Sequence, residues 1–532
     1  MRQTPWSEGQ NVRQLEPMGF IKFDILGLST LRMIEDCIGK ILRRHHGIES
    51  PTFEDIKRFY DEKLHPDTID LNDQTVYETI FEDGKWIGIF QFTENGAQRF
   101  AKLVKPKSII DLSAITSIYR PGPLSAGVDK SYVEAVEDPS SVRYLHPIIE
   151  EVTKETHGFL IFQEQIALLA YRLGDGITMD EANLLRKILT KKGTGKGFEA
   201  KDKIHTKFLR GCAGHDIDKH AAERLWQTFE YFSGYGFNKS HAVSYSIISY
   251  QCAWLCTYFQ TEWAASFLDK EPESRKEKAI NLVKQHGYEI KPLNINYSED
   301  TWRIENNETL IAPLTGIKGL GDAAFEQILL HRPFNSVEEM LFNSEVKYNK
   351  LNKKAFDVLC RAGALDDLMD ERFTGDKHFW SAVCVDKPRT KKKLDENIEK
   401  YRPEGSFTQE EKIENFANLT GIFPISMVMT DHIQDKLAEM CVPPISEYDG
   451  DLQACWAIPR KVEKKKTRND KHYFVVTLID SNSVETRIRC WSVNPDKDII
   501  YINRPYMLKP KYSLDWGFST YGRVDQAWVL LG

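Results

Sequence analysis

The sequence has few cysteines, and none of them forms a close metal-binding pair. Its nine cysteines are scattered along the chain, and the two nearest are Cys252 and Cys256. Because no C-x-x-C pair occurs, we expect no structural zinc and a reducing intracellular setting. The sequence also lacks an apolar run of about 18 residues, the length that crosses a membrane. Its start, MRQTPWSEGQ, lacks the apolar centre of a signal peptide, so we expect a soluble protein with no membrane partner.

The charge balance shows no strong excess of either sign. The formal net charge of −7 does not indicate a nucleic-acid partner, but it does not exclude one, because binding depends on local clusters of cations. A hydrophobic content of 41% with 11% aromatic residues is typical of a folded protein. At 532 residues the chain is too long for one core, and we expect roughly three or four domains.

One carboxylate stands inside an apolar run at FIKFDILGL, residues 20–28. The alternation of residues 20–26 predicts a β-strand with Lys22 and Asp24 on one face. A lone ion buried among Phe and Ile is costly unless it has a partner. The two side chains could form a plain ion pair. Alternatively, Asp24 could ligate Mg²⁺ beside a phosphate-binding Lys22, and that hypothesis requires further aspartates because such sites commonly hold two ions.

From about residue 50 to 290 the pattern is mostly helical, and one of its helices is strongly basic. In DEANLLRKILTKKGTGKG (180–197) a stripe of leucine and isoleucine predicts a buried helix face. The other faces carry Arg186, Lys187, Lys191 and Lys192. These cations could form a solvated surface, or a positive wall for a triphosphate or a DNA backbone.

Two turns in the helical region also carry candidate anion-binding groups. GYGFNKSHAVSYSIISYQ (234–251) places Lys239 and His241 at the start of an apolar helix, where free amides can bind an anion. It is not a Walker A loop, because the required Gly-Lys-Ser/Thr order is missing. In YRPGPL (119–124) two prolines hold the backbone after Arg120, which suits an arginine aimed at an anion. An ordinary helix cap and an ordinary tight turn fit these segments equally well.

Two later regions indicate contact with DNA. GIKGLG (316–321) has the glycines of a helix-hairpin-helix, in which backbone amides contact phosphate without reading sequence. Its candidate contacts are Gly316, Lys318, Gly319 and Gly321. A second hairpin is predicted at 358–368, followed by a charge-rich linker or solvated excursion at 370–420. After residue 450 the period changes to two, which predicts a small barrel or sandwich similar to the OB-fold, a frequent binder of single strands.

Taken together, these motifs resemble those of bacterial replicative DNA polymerase III alpha subunits, the C-family polymerases. The matching blocks, in the family's order, are FIKFDILGLSTL, IGIFQFTENGAQRFAKLVKP, SIYRPGPLSAGV, HGFLIFQEQIALLAYRLGDGITMDEANLLRKILTKK, GYGFNKSHAVSYSIISYQCAWL and GIKGLGDAAFEQIL. The resemblance runs from about residue 15 to 365 and continues more weakly to the end. It implies a multidomain α+β chain: a palm strand segment at 1–45, α-helical fingers at 46–290, tandem helix-hairpin-helix motifs at 291–370, a connecting region at 371–448 and an OB-like β-barrel at 449–532.

The resemblance also implies roles for individual residues. The family's palm carries three metal-binding aspartates, of which Asp24 matches one, and Lys22 matches a neighbouring basic residue that contacts the nucleotide. The fingers grip the incoming deoxynucleoside triphosphate and the template, and the matching positions here are Arg120, Arg186, Lys187, Lys191, Lys239 and His241. Gln163 and Glu164 lie in a family motif, FQEQ, whose role stays open. The implied cofactor is Mg²⁺, and the implied partners are primer-template DNA and deoxynucleoside triphosphates.

The sequence departs from the family in lacking its N-terminal half, with the PHP domain, most of the palm and the thumb. The pairs Asp216/Asp218, Asp449/Asp451 and Asp496/Asp498 have the spacing of the missing aspartates, but they lie in polar turns without apolar strand residues. We therefore expect the missing aspartates on an N-terminal partner chain, as in a split polymerase or a fragment of a longer one. A sliding clamp is a further possible partner, although residues 400–425 hold no convincing clamp-binding peptide.

Two other hypotheses stay open at this stage. The chain could be a degenerate homologue that holds DNA through its hairpin and OB-like modules without catalysis, or a processivity or scaffold subunit that contacts the replisome through its OB-like end. The resemblance in each case implies the cytoplasm of a bacterial or phage-infected bacterial cell.

Overall fold

The computed structural model describes most of the chain, namely residues 19, 26–120, 123–124, 127–190, 197–232, 236–421, 423–448, 454–467, 470–481, 485–513 and 517–531. Two of the predicted site residues on the palm strand, Lys22 and Asp24, lie outside the described residues, and so does Lys191. None of the helices in these ranges combines the length and apolarity that crossing a membrane requires.

Helices make up most of the described chain between residues 29 and 285, as the sequence pattern predicts for residues 50–290. The α-helices there are Ser29–His46, Phe53–Lys63, Gln74–Val76, Asn95–Val104, Ile109–Ile118, Val128–Glu137, Pro147–Thr153, Gln163–Leu173, Met179–Thr190, Phe198–Gly214, Lys219–Phe232, Lys239–Tyr258, Gln260–Lys270 and Lys276–Gln285. Short 3₁₀ or π turns lie at Tyr77–Glu82, Pro139–Ser141, Lys154–Thr156 and Glu273–Arg275.

The first of these helices, Ser29–His46, follows directly from its sequence. Apolar residues at positions three and four apart place Ile34 and Ile38 on one buried face. The helix ends at Gly47, whose left-handed conformation (φ 68°) lets its amide bond to the carbonyl of Leu42. Ser29 is the first helical residue, and Leu28 before it makes no side-chain cap.

The helical region contains two separate hydrophobic cores. The first core is built mainly from helices that precede and follow residues 147–232, and it includes Tyr77, Tyr250 and Trp263. The second lies within residues 147–232 and includes Phe208 and Trp226. Each core defines one lobe, and the two lobes meet beside a short backbone pairing that lies in the first core. In this pairing the amide of Gln163 bonds to the carbonyl of Phe237 at 2.9 Å, and the amide of Phe237 bonds to the carbonyl of Ile161 at 3.0 Å.

The third region combines a small sheet with further helices. In the sheet, β3 (Thr309–Ile311) lies between parallel β1 (Glu289–Lys291) and antiparallel β2 (Arg303–Ile304). The helices that follow are Asp322–His331, Val337–Phe342, Lys353–Arg361, Asp376–Trp380, Lys391–Tyr401, Gln409–Thr420, Ile425–Val428 and Asp431–Glu439. Shorter 3₁₀ or π turns lie at Leu314–Gly316, Asp366–Leu368, Ser381–Val385, Arg402–Glu404 and Ile445–Glu447.

The charge-rich segment after residue 370 is folded, which differs from the expected linker or solvated excursion. Leu394 and Ile398 are buried in the same core as Ile328 and Phe356 of the hairpin region. The spacing of four between Leu394 and Ile398 puts both on one helix face, while the lysines and glutamates around them face solvent. A few apolar residues at helical spacing therefore anchor this segment in spite of its charge.

The last region is one curled, seven-stranded sheet. Its strands are β4 (Cys455–Lys466), β5 (His472–Ile479), β6 (Thr486–Trp491), β7 (Tyr506–Leu508), β8 (Lys511–Ser513), β9 (Gly517–Tyr521) and β10 (Trp528–Leu530). They pair in the order β10-β7-β4-β5-β6-β9-β8. Within the described strands, β10 and β8 form the two ends of the sheet and do not pair with each other. The sheet confirms the predicted change to β-structure after residue 450, while the OB-like barrel stays a prediction.

Candidate functional site

The backbone pairing between the two helical lobes leads directly into helix Lys239–Tyr258. Asn238 caps this helix, since its side-chain oxygen accepts a bond from the amide of His241 at 2.9 Å and another from the hydroxyl of Ser240 at 2.6 Å. The amide of Lys239 donates to the carboxylate of Glu164 at 2.9 Å. Two of the amides that the sequence offered as an anion site are therefore already bonded within the chain.

Gln163 and Glu164 fix this junction from the other lobe. Glu164 accepts a second bond, from the side-chain amide of Asn238 at 2.8 Å. Gln163 donates to the carbonyl of Gly236 at 2.7 Å, and its oxygen accepts a bond from the guanidinium of Arg186 at 3.1 Å. The pair whose role the sequence left open thus holds Arg186 and the start of helix Lys239–Tyr258 together.

Phe237 provides an aromatic support for two of the predicted cationic residues. The guanidinium of Arg120 lies 3.7 Å from the centre of its ring, a favourable cation–π distance. Partial burial lowers the pKa of Arg120 below its ordinary value. The guanidinium nevertheless stays charged at neutral pH, because the ordinary pKa of arginine is far above 7. The ring of His241 lies 5.3 Å from that of Phe237 and 4.1 Å from that of Tyr245.

Lys239 is held by an ion pair that the sequence did not reveal. Its ammonium lies 2.6 and 2.8 Å from the two carboxylate oxygens of Glu155 and 5.6 Å from the ring centre of Phe162. Glu155 belongs to the 3₁₀ turn Lys154–Thr156, more than eighty positions away in the chain, so no local motif marks the pair.

The structure thus brings together four of the predicted residues, Arg120, Arg186, Lys239 and His241. In the sequence they lie in separate segments, and no local pattern predicts that these segments meet. We define the junction cluster as Arg120, Gln163, Arg186, Phe237, Lys239 and His241. Lys187 is exposed on the same helix as Arg186. Phe237 was missed by sequence reasoning, and its place directly before the NKSH segment was the only available signal.

The glycine-rich hairpin forms an exposed turn before helix Asp322–His331. Gly316, Lys318, Gly319 and Gly321 are all exposed, and Gly319 has φ +94°, a conformation that favours glycine. The amide of Lys318 is not free for phosphate, because it bonds to the carbonyl of Leu419 at 2.7 Å. Within the described residues, the amides of Gly319 and Gly321 donate to no backbone carbonyl, so they are the candidate phosphate donors.

We expect Gly319→Ala to weaken DNA binding. The left-handed backbone at this position would cost an alanine about 1–2 kcal/mol, and relief of that strain would turn the amides away from a phosphate. Titration of labelled duplex DNA should show roughly a fivefold higher Kd. Gly287→Ala is the control, because Gly287 has a similar φ of +91° with open space around it and lies outside the hairpin. Equal losses in both variants would show that the effect is only loss of fold stability.

The last sheet carries an aromatic row across three strands. Tyr473 pairs with Trp491 and Trp491 with Tyr521 in the sheet register, and the rings of Tyr473 and Trp491 stack at 4.6 Å. Tyr521 is 60% exposed, and the ammonium of Lys511 lies 5.9 Å from its ring. Exposed aromatics beside cations can stack the bases of a single strand.

Two aspartates from the pairs with metal-like spacing bond to backbone amides instead. Asp218 caps helix Lys219–Phe232 by accepting from the amide of Ala221 at 3.0 Å. Asp498 accepts from the amides of Asn494 and Val524. Asp449 and Asp451 lie outside the described residues. Within the described ranges, no group of three carboxylate, imidazole or thiol side chains is placed to hold a metal ion.

Two family models match parts of this chain, one covering part of the junction cluster and the other covering the hairpin. Residues 42–215 match the family model of the bacterial DNA polymerase III alpha subunit finger domain. This range contains Arg120, Gln163, Glu164 and Arg186. Residues 287–374 match that of the helix-hairpin-helix motif. The chain is 29% identical over 481 residues to the DNA polymerase III subunit alpha of Aquifex aeolicus, which is 88% of this chain and 39% of that protein.

Two further relatives are also named DNA polymerase III subunit alpha. The protein of Helicobacter pylori is 31% identical over 371 residues, 67% of this chain and 29% of the relative. That of Treponema pallidum is 32% identical over 360 residues, 66% of this chain and 28% of the relative.

The matches identify a polymerase-class protein that joins a finger domain to a helix-hairpin-helix motif. The chain belongs to the family of bacterial DNA polymerase III alpha subunits, which confirms the resemblance noted in the sequence. It spans 39% of the length of the Aquifex aeolicus relative and 29% or less of the other two.

Proposed function

We propose that this chain is the nucleotide- and template-gripping part of a replicative DNA-directed DNA polymerase that also contributes one metal-binding aspartate, Asp24. The observation that supports this most is the junction cluster, in which Arg120, Arg186, Lys239 and His241 converge at the contact between two lobes. A deoxynucleoside triphosphate carries several negative charges, and cations held in fixed positions neutralise them without reorganisation during the reaction.

Catalysis in this proposal is completed by the rest of the polymerase. Asp24 and the aspartates of an N-terminal partner chain, with PHP and palm segments, would hold Mg²⁺, which would activate the primer hydroxyl and stabilise the leaving pyrophosphate. Residues of this chain would orient the triphosphate: Arg120 from its position on Phe237, and Arg186 through its bond to Gln163. Lys22, Lys187 and Lys191 stay candidate phosphate contacts.

The hairpin and the last sheet would hold the DNA. The hairpin would bind the duplex backbone through the amides of Gly319 and Gly321, and the Lys318 side chain would add one charge contact. The aromatic row of Tyr473, Trp491 and Tyr521 would stack the bases of the unpaired template. These contacts carry no sequence information, as replication of any template requires.

We expect Arg186→Ala to raise the Kd for deoxynucleoside triphosphates by roughly tenfold, because a charge-assisted hydrogen bond contributes about 1.5–3 kcal/mol. Equilibrium dialysis of the purified chain with a labelled triphosphate would measure the change. The matched control is Arg172→Ala, which removes an arginine that bonds to both carboxylate oxygens of Glu151 outside the junction cluster. The proposal fails if the two variants bind triphosphate equally well.

The runner-up is a DNA-holding or scaffold homologue without catalysis. It is supported by the exposed hairpin turn and the aromatic row, which are complete without a partner. A neighbouring reading frame with a PHP-like start and a Pro-Asp-x-Asp-x-Asp-Phe segment would favour the polymerase. Truncation near residue 370 that removes partner binding but leaves primer extension intact would favour the scaffold, including one that contacts a sliding clamp. Either function would operate in the bacterial cytoplasm.

A further inference from the structure

We infer that Glu155 is an internal competitor for Lys239, whose carboxylate occupies the ammonium until the phosphate of a nucleotide displaces it. This inference rests on the proposed function and adds to it a residue that sets the affinity of the same site. It concerns a carboxylate in the 3₁₀ turn Lys154–Thr156, outside the segments that carried candidate cations.

The geometry shows that Glu155 takes the place of an anionic ligand. Both of its carboxylate oxygens lie within hydrogen-bond distance of the Lys239 ammonium, at 2.6 and 2.8 Å. A phosphate offers the same arrangement of charged oxygens to a lysine. Since the amide of Lys239 is held by Glu164 at 2.9 Å, the side-chain ammonium is the group of Lys239 through which a phosphate could bind, and Glu155 holds it.

The two carboxylates at this helix start differ in how easily they can leave. Glu164 bonds to both the Asn238 side chain and the Lys239 amide, so it fixes the backbone. Glu155 bonds only through its flexible end to the flexible end of Lys239, and their side chains are 36% and 31% exposed. A partly exposed ion pair of this kind contributes little net free energy and dissociates into water at low cost.

The turn that carries Glu155 does not need to move when the carboxylate leaves. Its neighbour Thr156 is fully buried, and its hydroxyl bonds to the carbonyl of Phe159 at 2.6 Å and accepts a bond from Gln165 at 2.8 Å. Displacement therefore requires only rotation of the Glu155 side chain. The negative charge of the Glu155 carboxylate stays near the site and repels anions. Only an anion that binds Lys239 strongly enough to displace this carboxylate can therefore occupy the site.

The test is triphosphate binding by the purified chain with Glu155→Gln, which keeps the shape of the side chain and removes its charge. We expect a Kd for deoxynucleoside triphosphates that is roughly three- to tenfold lower at low salt, and a difference that shrinks as salt screens the charges. Glu151→Gln is the matched control, because Glu151 forms an equivalent bidentate pair with Arg172 on the neighbouring helix. It should leave the Kd unchanged.

A double-mutant cycle assigns the effect to Lys239. Lys239→Met should weaken binding, and adding Glu155→Gln to it should give no further change. If Lys239→Met weakens binding but Glu155→Gln does not strengthen it, the competitor role is wrong and the proposed function stands. If neither the native chain nor any variant binds triphosphate, the proposed function fails together with the inference. Equal gains from Glu155→Gln and Glu151→Gln would overturn the inference, because they would reflect net charge alone.

Discussion

Replacement of Asp24 by asparagine is expected to abolish nucleotide incorporation by the assembled polymerase while its DNA affinity stays nearly unchanged. The resemblance of FIKFDILGL to the family's palm strand implies a metal-binding role for this aspartate, and the proposed function includes that role. Asparagine has almost the same shape but carries no charge, and metal-bound charge stabilisation contributes several kcal/mol to phosphoryl transfer, so the rate should fall on the order of a thousandfold or more. In the proposed function, DNA binding depends instead on the hairpin and the last sheet.

Co-expression with the N-terminal partner chain and a primer-extension assay with and without Mg²⁺ would measure the rate, and gel-shift titration would measure DNA affinity. Asp496→Asn is a suitable control, since Asp496 is exposed and belongs to a pair with metal-like spacing in a polar turn. Full activity of the Asp24→Asn variant would rule out the metal role. Primer extension by this chain alone would rule out the need for partner aspartates.

The sequence predicted the parts of the fold that local patterns control. The helix Ser29–His46 follows from apolar residues at helical spacing, and the exposed hairpin turn follows from glycines whose conformation few other residues adopt. The strands after residue 450 follow from the period of two. Their order across the sheet, however, depends on pairings between distant strands, which no local pattern records.

The candidate site was predicted only in pieces. Arg120, Arg186 and Lys239 were found because each stands in a basic or turn-forming segment, but their convergence depends on the pairing of Phe162 with Phe237. Glu155 had no signature, because a glutamate in a helical region is most often a solvated one, and the motif FQEQ marked Glu164 without giving its role. Long-range contacts of single polar side chains are therefore what the sequence could not supply.

Lys40 shows the same limit in the first hydrophobic core. From the sequence it is an ordinary lysine in an amphipathic helix, yet its side chain is only 6% exposed. Its ammonium lies 2.5 Å from Asp36 on its own helix and 2.7 Å from Asp269. Asp269 also accepts the amide of Trp302 at 2.9 Å. One buried ammonium thus ties helix Ser29–His46 to helix Gln260–Lys270.

The charges of this network depend on one another. Burial opposes the charge of Lys40, but the attraction of Asp269 and Asp36 outweighs it and raises the pKa of Lys40 above its ordinary value. Burial also raises the pKa of Asp269, even with Lys40 beside it. The contribution of Lys40 to stability is therefore present at neutral pH and is lost only as the pH rises beyond the ordinary pKa of lysine.

We expect Lys40→Met to destabilise the fold by about 3–5 kcal/mol at pH 7, because it leaves the buried carboxylate of Asp269 without its paired ammonium. The loss should become smaller at acidic pH. Without Lys40 the folded-state pKa of Asp269 rises further, and below that pKa the carboxyl is protonated and no longer a buried charge. Thermal or urea unfolding at several pH values would measure both effects.

Two controls separate the buried network from a general loss of positive charge. Lys57→Met removes a lysine from an exposed pair with Asp61, in which the two side chains are 53% and 45% exposed, and it should leave stability almost unchanged because water screens such a pair. Adding Asp269→Asn to Lys40→Met should restore part of the lost stability, because it removes the uncompensated charge. If Lys40→Met and Lys57→Met unfold alike, or if the loss is the same at pH 5 and pH 7, Lys40 does not have this role.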